Sequence, residues 1–178
     1  MDIIKDFEER VRQDLTVYLS AQGVLDKRVP ECPDVEERWG EICRAYLPDG
    51  IREYQDYPVV SLGWIMFVGM AMAFYWDTDW ENYSARKGIY EDLRSLRGFD
   101  NMDEAIVEEV LGYRDEEAER VIAIAAECAQ RVLSMLRHAH IEPGTETALG
   151  CYMAALHQLY LAGMGMELNS LGYHMTQV

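Results

Sequence analysis

Apolar residues recur at spacings of three and four along most of the chain, and the period-two alternation of a half-buried strand does not. The pattern predicts a single all-α domain over residues 1–178, a helical bundle of about seven helices. In the first helix Ile4, Phe7, Val11, Leu15 and Tyr18 fall on one face, ahead of a stop near Gly23. Val29-Pro30 and Cys32-Pro33 then break the chain. Asp34 with Glu37 supplies the N-cap and N3 residue types of a capping box, opening a helix buried through Val35, Trp39, Ile42, Cys43 and Tyr46. Pro48-Asp49-Gly50 predicts a turn that closes it.

Residues 59–76 (VVSLGWIMFVGMAMAFYW) carry no charge and a single aliphatic hydroxyl, at Ser61. A helix apolar around its whole circumference either spans a membrane or forms the centre of a core. A two-span hairpin with residues 147–168 would set His157 and Gln158 near mid-bilayer, and would export residues 1–57 with eight basic side chains. The flanks therefore favour a buried central helix, with Gly63 and Gly69 admitting neighbouring backbones. Beyond it, Trp80, Tyr83, Tyr90, Leu93 and Leu96 trace a helix stopped by Gly98, and Ile106, Val107, Val110 and Leu111 a short one stopped by Gly112. Ala118, Val121, Ala125, Cys128, Val132, Met135 and Ala139 form a coiled-coil-like seam over residues 115–140. The last helix starts after Pro143-Gly144-Thr145.

Charge narrows the partners. The chain holds 32 acidic against 16 basic residues, a net charge of −16, so nucleic acid and anionic lipid surfaces are repelled. Nine acids fall within residues 100–119, whereas no Lys or Arg follows Arg137. The start, MDIIKDFEER, reads as an amphipathic helix and not as a signal peptide. Cys32, Cys43, Cys128 and Cys151 share no paired spacing, which points to reduced thiols of a cytoplasmic protein and not to zinc.

The candidate chemistry is sparse. Asp77, Asp79 and Glu81 lack the glycine and final acid of an EF-hand loop, and N-capping of the next helix explains them. Phe74, Tyr75, Trp76, Trp80 and Tyr83 crowd the same junction. Rings beside carboxylates suit a cationic or amphipathic ligand, and packing under a helix corner needs the same rings. His138 and His140 lie two apart, on opposite sides of a helix, which fits the favourable C-terminal dipole better than a metal. His157 sits in an apolar helix, where a histidine is normally bonded to a carbonyl or carboxylate.

The ligand-binding candidates are accordingly Trp76, Asp77, Asp79, Trp80, Tyr83 and His157. No catalytic residue, metal ligand or cofactor motif stands out. The expected function is that of a non-enzymatic protein acting through protein contacts, including self-association through its methionine-rich, charge-poor C-terminal segment. The alternative is a small-ligand binder or enzyme with a pocket near residues 74–83.

Overall fold

The computed structural model describes residues 2–173. It contains eight α-helices and no strand among the described residues. Helix α1 (Ile3–Ala21) is opened by Asp2, whose carboxylate accepts the Lys5 backbone N–H (3.1 Å). It buries Phe7, Val11, Leu15 and Leu19. The short α2 (Pro33–Glu36) follows Cys32 as its N-cap, and Glu36 reaches back to accept the Cys32 N–H (2.8 Å). The N-cap lies two residues earlier than the predicted Asp34, and the acid that reaches back is Glu36 at N4, not Glu37 at the N3 position of a capping box. Asp34 instead accepts a hydrogen bond from Trp76 Nε1 (3.0 Å).

Helix α3 (Trp39–Asp56) runs straight through Pro48-Asp49-Gly50, where the sequence predicts a turn. Tertiary contacts outweigh the turn propensity. Asp49 is buried and accepts hydrogen bonds from Tyr90 Oη (2.7 Å) and Arg94 Nη1 (2.8 Å). A Cβ on Gly50 would collide with the rings of Tyr46 and Tyr152, so this glycine is a packing requirement inside the helix.

Helix α4 (Pro58–Ala85) is the centre of the bundle. Its apolar run is covered by α3, by α7 (Asp115–Arg137) and above all by α8 (Glu146–Ser170). It is the one described helix long and apolar enough to cross a membrane, and most of it is buried inside the protein. Its end lies well past residue 76: Asp79 (φ −161°, ψ 54°) interrupts the helix, and one further turn reaches Ala85. The predicted continuation from Trp80 to Leu96 is broken at Gly88 (φ 76°), which opens α5 (Ile89–Ser95).

A 3₁₀ turn (Phe99–Asn101), α6 (Met102–Ala105) and a π turn (Ile106–Val110) follow, ending at Gly112 (φ 75°). In α7 the seam is buried at Ala118, Ala125, Cys128 and Val132. Thr145 caps α8 by accepting the Ala148 N–H (3.1 Å). Of the three methionines of α8, Met164 and Met166 are buried in the core and Met153 is partly buried.

Candidate functional site

Charge burial singles out the C-terminal end of α8. Glu167 is only 3% exposed, on a helix face otherwise filled by Met164, Gly163 and Leu168. Its partner is Tyr113, which the left-handed turn at Gly112 carries inward; the Tyr113 N–H donates to the Val107 carbonyl (2.9 Å) and fixes the approach. The phenol donates to Glu167 Oε1 and lies 3.1 Å from Oε2, while Ser170 Oγ stands 3.1 Å from the same phenol oxygen.

These groups line a half-open pocket, the Glu167 chamber, of about 200 Å³, whose apolar walls include Met70, Ile124 and Met166 and whose rim includes Gly23 and Val24. Arg120 also reaches it, but its Nη2 donates to the Gln22 carbonyl (2.6 Å). Among the described residues no cation pairs with Glu167 within 4 Å. The buried Oδ1 of Asn169, on the same wall, accepts no hydrogen bond. Burial pushes the Glu167 carboxyl up to about 7; the Tyr113 hydrogen bond opposes this, and the Glu117 and Asp77 charges add to it. Burial and the bond to Glu167 push the Tyr113 phenol well up, so it stays a donor.

The residues picked out from sequence occupy several separate places. Trp76 bonds Asp34 and meets Tyr173 edge-on (5.4 Å between centroids), and Asp77 accepts from Tyr173 Oη (2.7 Å). Asp79 is exposed and accepts from Asn82 Nδ2 (2.7 Å), closing the final turn of α4. Tyr83 stacks on Tyr75 (3.8 Å, 7°), and these two with Asp79, Arg86 and Asp92 border an open depression. Trp80 lies beneath the Arg38 guanidinium (5.9 Å), which donates to the Ser84 and Arg86 carbonyls (3.1 and 2.9 Å) and so ends α4.

His157 stands apart from that junction. Its ring stacks on Trp39 (5.0 Å, 8°), and its Nδ1 lies 3.3 Å from Glu8 Oε2, which also accepts from Gln158 Nε2 (2.8 Å). Glu8 is the acidic partner that sequence spacing could not locate. Burial lowers the imidazole pKa and Glu8 opposes the shift. The rings at the junction thus have packing partners, and of the six candidates Asp79 and Tyr83 border the same depression.

A third concavity lies at the other end of α8, an apolar cleft of about 860 Å³ bordered by Ile51, Tyr54, Leu136, Ile141, Leu149 and Tyr152. Among the described residues no group of three or more His, Cys, Asp or Glu side chains is placed to hold a metal. All four cysteines are free and buried, and burial raises Cys32 to about 11 and Cys128 to about 12, which keeps them as unreactive thiols.

Reasoning from local motifs missed Glu167 and Tyr113. One signal was available: after Glu146, Glu167 is the only Asp, Glu, Lys or Arg in the chain, and it falls in an apolar helix. No family model matches the chain, and no curated protein and no solved structure is significantly similar to it.

Proposed function

We propose that the protein binds a small molecule in the Glu167 chamber. The observation that carries this reading is a carboxyl buried to 3% exposure beside empty volume, with hydrogen-bonding groups converging on one side and apolar walls on the other. A buried acid is costly unless a cation pairs with it, so its position beside a cavity fits a ligand better than a core. The volume is below the roughly 300 Å³ of pockets for drug-sized ligands, so the occupant is small. Proton-dependent amide spectra during titration with butylammonium, butanol and butyrate test the reading. At least one should shift the amides of Tyr113, Glu167 and Ser170 saturably; no response to any of the three would contradict it.

A second reading, contact with another copy of the chain, is favoured by Ile51 and Leu149, both 44% exposed on the rim of the apolar cleft. Light scattering tests it directly. A dimer that Leu149→Glu dissociates would support it, and a monomer in both proteins would remove it.

A further inference from the structure

We infer that the ligand of the Glu167 chamber is a small organic cation, an ammonium group on a short hydrocarbon body. This deepens the small-molecule reading above and rests on it. The inference comes from what the chamber lacks. Its polar wall is rich in acceptors: the Glu167 carboxylate, the partnerless Asn169 Oδ1 and the Glu117 carboxylate. Two of its donors point elsewhere: the Tyr113 hydroxyl donates to Glu167, and Arg120 Nη2 donates to the Gln22 carbonyl.

An ammonium group supplies three donors and no acceptor, which is the complement of this wall. It also supplies the missing counter-charge. Ionised carboxylates are stable inside proteins when paired, and here the pairing cation would come from outside the chain. The sulfur and alkyl groups of Met70, Met166 and Ile124 would cover the hydrocarbon body. The surrounding field has the matching sign, since Asp77 on α4 and Glu117 on α7 both act on Glu167, and the whole chain carries −16.

Binding of such a cation favours the ionised form of Glu167, so affinity should rise with pH. The groups facing Glu167 are Tyr113 from the turn before α7, Glu117 and Arg120 from α7, and Asp77 from α4. The α1–α2 connection contributes only Gly23 and Val24 to the wall, neither of them titratable. Glu167, raised to about 7, is the group that titrates between about pH 6 and pH 8. The ionised fraction rises roughly tenfold across that interval, and the affinity for a permanently charged ammonium should follow it.

The test is a titration of the full chain with butylammonium, and separately with its neutral counterpart butanol and its anionic counterpart butyrate, at about pH 6 and about pH 8. The expected result is saturable binding of butylammonium that tightens roughly tenfold at the higher pH, is at least tenfold stronger than that of butanol there, and is lost in Glu167→Gln. Circular dichroism and the melting temperature report whether that variant is folded. If it is not, the pH dependence of the wild-type chain alone still decides the matter. Butanol or butyrate binding as well as butylammonium, or a pH-independent affinity, would overturn the cation while leaving the ligand chamber intact. Binding of none of the three would overturn both.

Discussion

Gly69 of α4 lies directly against the Tyr160 carbonyl oxygen of α8, closer than any side chain would permit. Gly163 makes the reciprocal approach, its Cα facing the Met66 carbonyl. The two helices at the heart of the bundle therefore meet backbone to backbone, and everything carried on α8, Glu167 included, is positioned by this contact.

Gly69→Ala should destabilise the fold by about 3 kcal/mol, because the new methyl group meets immobile backbone and not a flexible side chain. Gly63→Ala is the control. A Cβ there meets only Ala129 Cβ at an ordinary 3.6 Å, so the better helix former should leave stability unchanged or raise it by up to about 1 kcal/mol. Chemical denaturation of the two variants checks the contrast, and equal effects would contradict the close approach.

Glu167→Gln should stabilise the unliganded protein above neutral pH. The carboxyl has its folded value near 7 against an ordinary 4.5. Between those values the unfolded chain has released this proton and the folded chain still holds it, so stability falls as pH rises through that window and levels off above it. The gap amounts to about 3 kcal/mol. Denaturation midpoints of wild type and variant should coincide near about pH 5 and diverge by about pH 8; parallel pH profiles would show that Glu167 is not the responsible group.

Asp49→Ala should cost about 3 kcal/mol, since it strands the Tyr90 hydroxyl and the Arg94 guanidinium that now share one buried carboxylate. It also removes the tie that holds the Pro48 region helical. Stability near that of the wild type would mean the carboxylate is not what carries α3 through this stretch.

Glu8→Gln should lower the His157 pKa further, because Glu8 is the group that counteracts burial at this imidazole. Trp39→Ala should move it the other way by exposing the stacked ring face. Imidazole proton shifts followed across acid pH report both, and shifts of the same sign would contradict the arrangement.

The bundle and its central helix were legible because a fully apolar run inside an acidic chain leaves few alternatives, and the faces of α1 and α7 repeat with clear helical spacing. Pro48-Asp49-Gly50 was not, since its turn chemistry yields to Tyr90, Arg94 and Tyr152, which come from distant segments. The two helical glycines were legible as a class but not individually: Gly69 is a contact point, whereas Gly63 is not. The site followed the same logic. The aromatic and acidic junction is conspicuous in sequence because its residues are neighbours, yet most of its rings turn to packing partners. Glu167 and Tyr113 are 54 positions apart, and only the fold brings them together.

The most direct measurement is a carbon-detected titration of the Glu167 carboxyl, with and without butylammonium. The expected midpoint is about 7 in the free protein, moving to lower pH when the cation is present. A midpoint near the ordinary 4.5, unmoved by butylammonium, would contradict the burial of Glu167 and its cationic ligand together.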